Sequence, residues 1–366
     1  HDINVTPFID VILVLLIIFM VVAPRMDHPA INTRSWCQNL HTLGGTSGDL
    51  YHVSAVVDGR HRYRLSGRVG DMKILVMQTM NTIFGGPNQH QVTQADLAAM
   101  ADANGRFEAV LSAEPQPGNW IALDPSSPCN LLFIRRFFDN WYGDRGELDL
   151  QLLDGPIDNR DFDPQFMAEK IRRAANLMKF LVKSWNIGIY DLYLAKNDGI
   201  KNQVAVVPGT EIASDFAGSP STIYSWGIFD LKSDEALVLE YDAPDAGFWS
   251  VQIQDVWTRP IDYLNNQSDI NQRLAVTDTD GKIRVVICHE DPGVANWLAT
   301  SGRSEGTIVT RAYHARSVPA KPRASLIKVA DLGRHLPVDT RRVTPAERAR
   351  ALQVRRRGLL QMFGDL

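Results

Sequence analysis

The densest group of reactive side chains in the sequence is the run Cys288-His289-Glu290-Asp291. A thiol, an imidazole and carboxylates could hold a metal ion or support thiol catalysis if they faced one pocket. They lie on a predicted strand, however, where successive side chains point to opposite faces of the sheet. Cys288 and His289 therefore cannot share a pocket without a bulge, and we predict an exposed polar strand end with no metal site.

Two glutamates could support a second type of reaction. Glu114 and Glu290 occupy equivalent positions of an internal repeat, and a pair of carboxylates flanking a cleft is the machinery of glycoside hydrolysis. No substrate-binding motif accompanies them, and the sequence lacks the motifs of phosphate-binding loops, dinucleotide sites, zinc proteases and serine hydrolases. A soluble hydrolase acting through this pair is therefore an alternative interpretation, and we predict no cofactor.

Aromatic strand ends favour ligand binding over catalysis. The residues that we expect at a groove are Trp120, Trp297, Trp249, Trp257 and Asp255. Along the strand from 249 to 257, apolar residues alternate with a serine and two glutamines, which predicts one packed face and one solvated face. Concave surfaces that mix aromatic and polar groups suit small-molecule or carbohydrate ligands. The asparagines that precede Trp120 and Trp297 are better explained as anchors of turn backbone than as ligand contacts.

A repeated unit must position these residues. Residues 104–121 and 280–298 each contain a tight Asn-Gly or Asp-Gly turn, an apolar strand and a proline turn that leads to Asn-Trp. The arginine-aromatic segments 135–137 and 311–313 follow about one strand later. One β-unit used twice predicts a mainly β fold with helical additions, built as a duplicated antiparallel β-sandwich that is jelly-roll-like in part.

The segments around the repeat set the domain boundaries. A central helix is predicted to begin near Asp163, with an apolar stripe that includes Ile171 and Val182. A last helix begins at Thr344 and Glu347, which have the spacing of a capping box, and we expect it to be a plain surface helix. The predicted units are a transmembrane anchor at 1–26, a linker at 27–48, a first β-module at 49–155, a helix with long loops at 156–233, a second β-module at 234–332 and a C-terminal helix at 333–366.

Charge and cysteine content exclude several classes of protein. A net charge of −4 and a pI near 6.2 give no reason to bind nucleic acid. The three cysteines, Cys37, Cys129 and Cys288, are odd in number and widely spaced. They form neither a disulfide framework nor a zinc motif.

The front of the sequence carries a membrane signal. Residues 11–23 form an unbroken apolar run, and the run is nearly continuous from Val5, which is just sufficient to cross a bilayer as a helix. No basic segment precedes it, which argues against a signal peptide. Asp10 lies at the start of the run. A carboxylate there either faces a partner helix or a proton path, or is hydrated at the interface.

The same stretch, His1 to Val11 with the sequence HDINVTPFIDV and the apolar run after it, resembles the membrane helix of the ExbD/TolR family. The resemblance implies a helix inside a pentameric partner channel of the ExbB type in the bacterial inner membrane. It also implies that Asp10 carries the protons that energise transport. The resemblance covers about 24 residues, and nothing after Arg25 is similar to that family's periplasmic domain. We expect either a genuine fusion or, as we favour, a chimeric reading frame, in which case the body is cytoplasmic.

A second resemblance covers the body. Residues from about 28 to 332, including the segments 62–67, 105–108 and 118–120, resemble a bacterial family of unknown function, the twelve-fourteen family. That resemblance implies a β-sandwich with a jelly-roll-like portion and no established activity. The leading hypothesis is therefore a membrane-anchored β-sandwich that binds a small or extended organic ligand. The alternatives are a proton-driven transport component acting through Asp10 and a soluble enzyme.

Overall fold

The computed structural model describes residues 46–155, 164–212 and 218–363 of the chain. The predicted anchor at 1–26, with Asp10, lies outside these residues, as does the predicted linker up to residue 45. The linker residues Thr46 and Ser47 are described, and both are buried against the body. Within the described ranges, no helix is both long enough and apolar enough to cross a membrane.

Strands dominate the described structure, which confirms the prediction of a mainly β protein. Residues of high β propensity are common in these strands, and successive side chains point to opposite faces of each sheet. The strands of the first half are β1 (Leu50–Val57), β2 (Tyr63–Arg68), β3 (Ile74–Met80), β4 (Gln91–Asp96), β5 (Arg106–Ser112), β6 (Trp120–Ala122), β7 (Asn130–Phe137) and β8 (Glu147–Leu152). Those of the second half are β9 (Gln203–Pro208), β10 (Thr222–Asp230), β11 (Glu235–Asp242), β12 (Phe248–Gln254), β13 (Asp269–Asn271), β14 (Lys282–Cys288), β15 (Trp297–Ala299), β16 (Glu305–Tyr313) and β17 (Arg323–Lys328).

These strands form four sheets that pack in two pairs. Sheet I has the order β1-β7-β3-β4 and sheet II the order β6-β5-β2-β8; they enclose one apolar core that includes Leu65, Met77 and Leu111. Sheet III has the order β13-β12-β16-β10-β9 and sheet IV the order β15-β14-β11-β17. They enclose a second core that includes Leu239 and Val251. Each pair is a sandwich with its own hydrophobic interior.

The two sandwiches repeat the same strand order at the same register. In sheet I, Ile74 of β3 pairs with Phe137 of β7, and in sheet III, Phe248 of β12 pairs with Tyr313 of β16. In sheet II, β2 lies between β5 and β8. In sheet IV, β11 lies between the corresponding strands β14 and β17. The internal repeat of the sequence is therefore present as two equivalent halves of the structure.

The expectation of wholly antiparallel sheets was wrong at one place in each half. β6 lies parallel to β5, with Trp120 beside Val110, and β15 lies parallel to β14, with Trp297 beside Val286. The proline turn after β5 and β14 carries the chain back only to the level of Val110 or Val286, near the end of the strand, before it resumes. The returning strand thus runs in the same direction as the strand it left. The Asn-Trp pair of each repeat unit begins this short parallel strand.

A long helical segment separates the two halves. It consists of α1 (Pro164–Phe180), a π-helical stretch at Leu181–Gly188 and α2 (Ile189–Lys196). The predicted cap Asp163 lies outside the described residues. Two residues assigned to the buried stripe, Ile171 and Val182, are exposed. Val182 lies in the π-helical stretch, whose wider turn departs from a regular 3.6-residue repeat.

The loop region expected between the central helix and residue 234 contains two strands. β9 and β10 lie there, and β10 is the neighbour of both β9 and β16 in sheet III. The many glycines, serines and prolines around these strands hide them in the sequence. Within β10, however, Tyr224, Trp226 and Ile228 recur at every second position, which is the period of a strand. The second sandwich therefore begins near residue 203 rather than at 234.

The outer faces of sheets I and III meet in the middle of the molecule. Phe137 contacts Phe248 and Tyr313 there, with ring centres 5.0 and 4.3 Å apart. This contact corrects the prediction that one face of β12 is solvated. All seven residues of that strand are buried, because its serine and glutamines face the other sandwich rather than water.

The last helices fasten the two sandwiches together. They are α3 (Leu332–His335) and α4 (Pro345–Phe363). The capping box predicted at the start of α4 is confirmed: the Thr344 N–H donates to Glu347 at 2.8 Å, and the Glu347 N–H donates to the Thr344 hydroxyl at 3.3 Å. The expectation of a plain surface helix was wrong, because Arg348 and Arg355 are buried and form ion pairs with Asp291 and Asp269.

A buried polar joint lies beneath α4. Asp49 of the first half accepts hydrogen bonds from Trp141 Nε1 and Asn271 Nδ2, each at 2.9 Å. Asp269 of the second half accepts a bond from the Gly48 N–H at 2.9 Å and pairs with Arg355. Burial, followed by the nearby Asp269 charge, raises the pKa of Asp49 to about 7. The two sandwiches and α4 are thus held at one point by a buried carboxyl of raised pKa beside an ion pair.

Candidate functional site

A cavity of about 80 Å³ lies between the two sandwiches, where sheets I and III face the central helix. Its wall is largely aromatic and includes residues of both halves. The lining residues are Leu50, His52, Phe133, Arg135, Trp185, Ile189, Tyr193, Ile212, Gly218, Tyr224, Trp226, Gln254, Thr258, Val309, Arg311 and Tyr313. A mostly apolar, aromatic wall with a few polar groups is typical of small-molecule sites.

Matching positions of the two repeats contribute to this wall. Arg135 pairs with His52 in sheet I, and Arg311 pairs with Tyr224 in sheet III at the corresponding register. All four side chains line the cavity. The cavity therefore lies where the two halves of the repeat face each other, and equivalent strands supply its polar groups.

Each cavity arginine is held by a glutamine of the neighbouring strand. Arg135 Nη1 donates to Gln78 Oε1, and Arg311 Nη1 donates to Gln252 Oε1 at 2.8 Å. Gln78 in turn donates to the carbonyl of Gly218 at 2.9 Å. Both guanidiniums are almost fully buried, at 4% and 7% exposure. Their orientation is thus fixed by the protein before any ligand arrives.

His52 is an uncharged polar group in this wall. It is 4% exposed, and its ring stacks on Phe133 with centres 4.7 Å apart. Burial and the charges of Arg135 and Arg311 hold the pKa of His52 well below its usual range, so the imidazole is neutral at physiological pH. Its Nδ1 atom is buried and has no hydrogen-bond partner among the described residues.

Trp226 presents a second buried polar atom without a partner. The indole is 3% exposed and stacks on Tyr193 with ring centres 4.6 Å apart. Its Nε1–H has no acceptor in the part of the chain that the structure describes. Buried side-chain donors nearly always have a partner in folded proteins. An indole N–H and an imidazole nitrogen left open in one cavity therefore indicate a missing acceptor or donor there.

The central helix closes the cavity on one side. Trp185, Ile189 and Tyr193 line it and follow each other at intervals of four residues, so they lie on one face of the helix. Trp185 belongs to the π-helical stretch, a geometry that is frequent at functional sites. Burial raises the pKa of the Tyr193 phenol, which keeps its hydroxyl protonated and able to donate a hydrogen bond.

The duplicated tryptophans lie outside the cavity and close the repeat units. Trp120 Nε1 donates to the carbonyl of Ser112 at 3.3 Å, and Trp297 Nε1 donates to that of Cys288 at 3.1 Å. Each indole therefore binds the last carbonyl of the preceding strand.

The asparagines before these tryptophans also bind backbone. Asn119 Nδ2 donates to the Glu108 carbonyl at 2.9 Å, and Asn296 exchanges two bonds with the backbone of Val276 at 2.6 and 2.9 Å. These contacts agree with the prediction that the two asparagines are structural anchors.

The other three residues expected at a groove are also separate from the cavity lining. Trp249 is buried in the core of the second sandwich, edge-on to Tyr241. Trp257 is 48% exposed. Asp255 pairs with Arg259 at 2.7 Å and accepts the Trp257 N–H, so it fixes a turn at the end of β12.

The candidate catalytic residues do not form a common site with the cavity. Glu114 and Glu290 are exposed and follow β5 and β14, which belong to different sandwiches. Cys288 is fully buried, and burial raises the pKa of its thiol to about 12. Its neighbour His289 bonds Thr300 at 2.7 Å on the other side of the strand. A protonated, buried thiol is a poor nucleophile. The proton-site candidate Asp10 lies outside the described residues.

One feature of the sequence indicates the cavity residues. The arginine-aromatic segments 135–137 and 311–313 belong to the repeat, and each places an arginine inside an apolar strand. Arg135 and Arg311 occur at the same place in both copies, and a charge inside a buried strand requires a polar environment. His52 gave no such signal, because its alternation with apolar neighbours resembles a solvated position.

Comparison with known proteins identifies a family match for part of the chain. Residues 203–314 match the model of a family described as "Protein of unknown function (DUF1254)". The sequence resemblance described above was to a different family of unknown function, the twelve-fourteen family, and extended from about residue 28 to residue 332. The match covers β9 to β16, which include Arg311 and most of sheet III.

Curated relatives match only a short stretch. The biopolymer transport protein ExbD of Escherichia coli (strain K12) is 92% identical over 24 residues, which is 7% of this chain and 17% of the relative. ExbD of Pseudomonas putida is 88% identical over 36 residues, 8% of this chain and 25% of the relative. The chain thus spans a quarter or less of the length of these relatives.

A solved structure matches most of the chain. An uncharacterized protein from Burkholderia cenocepacia is 27% identical, with a TM-score of 0.75, and the match covers 87% of this chain and 88% of that one. A protein from Vibrio parahaemolyticus is 13% identical, with a TM-score of 0.47, over 78% of this chain and 90% of that one.

Proposed function

We propose that this protein binds a small organic ligand in the cavity between its two sandwiches. The observation that carries the proposal is the pair of buried polar atoms, His52 Nδ1 and Trp226 Nε1, that have no hydrogen-bond partner among the described residues and belong to one aromatic-lined cavity. A buried donor or acceptor that stays unsatisfied costs about 1–3 kcal/mol. A ligand that bonds both atoms would recover that free energy.

The architecture supports the same function. The cavity lies between two rigid sandwiches, and its polar groups stand on strands rather than on loops, which holds them in place before binding. The match to a family of unknown function and to an uncharacterized bacterial protein supports the fold and supplies no ligand. The proposed ligand is a small molecule, because the cavity has a volume of only about 80 Å³.

Thermal unfolding with a panel of small organic molecules and carbohydrates, followed by calorimetric titration of each hit, tests the proposal. Trp226→Phe keeps the ring and removes the N–H. It should weaken binding of a true ligand about 2- to 10-fold, the effect of one lost hydrogen bond. Trp257→Phe is the matched control, because that indole is exposed and lies outside the cavity lining. If no molecule stabilises the protein, or if both variants bind equally well, the cavity is not the binding site.

A second candidate function rests on the ExbD match. We propose that, in a chain that retains the stretch up to Arg25, Asp10 acts in a proton path within an ExbB-like channel in the bacterial inner membrane. The 92% identity over 24 residues to a biopolymer transport protein supports this function. The body would then be membrane-anchored.

Mass spectrometry of membrane and soluble fractions tests whether the fusion exists. A peptide that crosses Arg25-Met26 and occurs in the membrane fraction is the expected result. Co-purification with an ExbB-like protein, weakened by Asp10→Asn, would then support the proton path. Body peptides in the soluble fraction alone would refute it and would leave the cavity as the functional site.

A further inference from the structure

We propose that the outer face of α4, together with the loop that packs beside it, is a contact surface for an anionic lipid membrane. We call this surface the α4 stripe, and it consists of Tyr142, Arg145, Arg350, Val354 and Arg357. The proposal is separate from ligand binding in the cavity and from the proton path of Asp10. It gives the body of the protein a peripheral membrane contact of its own.

The helix α4 has two opposite faces. Its inner face carries Arg355 and Leu359, which are buried against the two sandwiches. Arg350 and Arg357 are exposed, and because they are seven residues apart, about two helical turns, they lie on one line along the outer face. Val354 falls between them, four residues after the first, and is 54% exposed. An aliphatic side chain thus lies between two guanidiniums on the face that points away from the body.

The outer face carries a positive charge. In the described part of the chain, the ion pairs of α4 are those of its buried residues Arg348 and Arg355. Arg350 and Arg357 lie outside these pairs and face solvent. Glu347 is the one acidic residue of the helix, and its carboxylate accepts hydrogen bonds from the backbone and the hydroxyl of the capping threonine. Arginines therefore outnumber acidic groups along this face.

The neighbouring loop adds a third cation and an aromatic ring. Arg145 is exposed, and its Nη1 donates to the carbonyl of Met362 at 2.8 Å, at the end of the helix where a cation is favoured. Tyr142 is 44% exposed, and its hydroxyl donates to the carbonyl of Val354 at 2.7 Å. A Cβ atom on Gly358 would lie 3.0 Å from Cε2 of the same ring. The tyrosine therefore packs directly on the helix backbone, beside the exposed valine.

This mixture of side chains fits a lipid surface. Guanidiniums bind phosphate oxygens in pairs, whereas tyrosine and aliphatic side chains favour the boundary between headgroups and acyl chains. The overall net charge of the chain is −4, so an anionic surface attracts the α4 stripe and repels much of the remaining surface. The protein would therefore approach an anionic membrane with α4 in front.

Co-sedimentation of the full chain with vesicles tests the surface. One set consists of phosphatidylcholine, and the other contains about 30% phosphatidylserine, which makes its surface anionic. We expect tighter binding to the anionic vesicles and a decrease with added salt. Replacing both Arg350→Gln and Arg357→Gln should weaken that binding about 10- to 30-fold, about 5-fold for each arginine.

The matched control removes the same charge elsewhere. Arg60→Gln combined with Arg62→Gln changes two exposed arginines next to the turn after β1. That turn follows the end of a strand about 25 Å long, and the other end of the strand begins next to Gly48, which lies against Leu359 of α4. The control should bind both kinds of vesicle like the wild type. Circular dichroism verifies that each variant is folded. An equal loss of binding in the control and in the α4 variant would refute the assignment to α4.

The apolar stretch at residues 11–23 offers a second way to bind vesicles, and a site-resolved measurement separates the two. Phenylglyoxal modifies accessible arginines, and mass spectrometry reads the modification of each peptide. Anionic vesicles should slow the modification of Arg357 and leave that of Arg60 unchanged in the same molecules. If Arg357 reacts equally fast in free protein and in protein bound to anionic vesicles, the α4 stripe does not contact the lipid.

A last comparison distinguishes lipid from other anionic partners. Val354→Leu adds one methylene group to the stripe and should tighten binding to anionic vesicles about 3-fold, since only an acyl boundary offers it an apolar environment. Binding to a DNA duplex or to polyglutamate should be weaker than binding to the vesicles and insensitive to this change. If either polymer binds more tightly than the anionic vesicles and the double arginine variant abolishes that binding, the partner is not a membrane.

Discussion

Replacing Asp49 with asparagine should remove much of the pH dependence of the protein's stability between about pH 4 and pH 7. Asp49 is buried at the joint of the two sandwiches, and burial together with the Asp269 charge raises its pKa from 3.8 to about 7. The folded protein therefore keeps a proton on this carboxyl over a pH range in which the unfolded chain has released it. Because the unfolded state binds fewer protons there, stability falls as the pH rises.

The magnitude follows from the pKa difference. One pKa unit corresponds to about 1.4 kcal/mol, so a shift of this size is worth about 4 kcal/mol once the pH exceeds the folded-state value. Below the unfolded value of 3.8, both states are protonated and Asp49 costs nothing. The amide introduced by Asp49→Asn is neutral at every pH and retains an oxygen that can accept from Trp141 and Asn271. The pH-dependent advantage of the variant over wild type should therefore rise from about 1 kcal/mol at pH 4.5 to about 4 kcal/mol at pH 8.

Urea denaturation of both proteins at intervals from pH 4.5 to pH 8 measures this effect. The informative quantity is the difference between their free energies of unfolding, because titrating groups remote from Asp49 contribute equally to both and cancel. Asp331→Asn, at an exposed position in the 3₁₀ turn before α3, is the control and should preserve the pH slope of the wild type. A difference between wild type and Asp49→Asn that stays constant across the range would show that Asp49 does not hold a proton in the folded state.

Three further stability predictions follow from the contacts of single side chains, each measured by urea denaturation. Arg355→Met should destabilise the protein by about 3–5 kcal/mol, because it leaves the buried carboxylate of Asp269 without its cation; a loss below about 1 kcal/mol would contradict the role of the pair. Asn296→Ala should lower the free energy of unfolding by about 2 kcal/mol, and Asn119→Ala should lower it by about 1 kcal/mol or less. The reason is that Asn296 makes two hydrogen bonds in a buried place, whereas Asn119 makes one at the surface. Equal losses of stability in the two variants would refute this comparison. Thr344→Ala should cost about 1 kcal/mol through loss of the helix cap, and Thr344→Ser should restore most of it.

The β class and the repeat could be predicted because both are local patterns. Turn residues and alternating apolar positions recur in residues 104–121 and 280–298, and strand pairing in each half follows them. The capping box at Thr344 was predictable for the same reason, since it depends on residues three positions apart. Patterns of this kind can be read from residues that are close in sequence, without knowledge of the tertiary contacts.

The cavity could not be predicted, because it depends on contacts between distant segments. The polar face of β12 resembles a solvated face until the first sandwich covers it. Likewise, Arg355 looks like a surface residue of a basic helix, and its partner Asp269 is 86 residues away. Strands β9 and β10 were missed because the residues around them have the composition of loops, although the pairing of β10 with β16 makes it central to sheet III.

The position of α4 has a consequence for the order in which the chain can fold during synthesis. Both sandwiches leave the ribosome before residues 345–363, and each has its own core to fold around. The helix then contacts both: Leu359 and Met362 join the core of the first sandwich, and Arg348 binds the second through Asp291. The last contacts that hold the two halves together are therefore made late in synthesis. A chain stopped before α4 would keep the contacts of Phe137 with Phe248 and Tyr313 but would lack the ion pairs of Arg348 and Arg355.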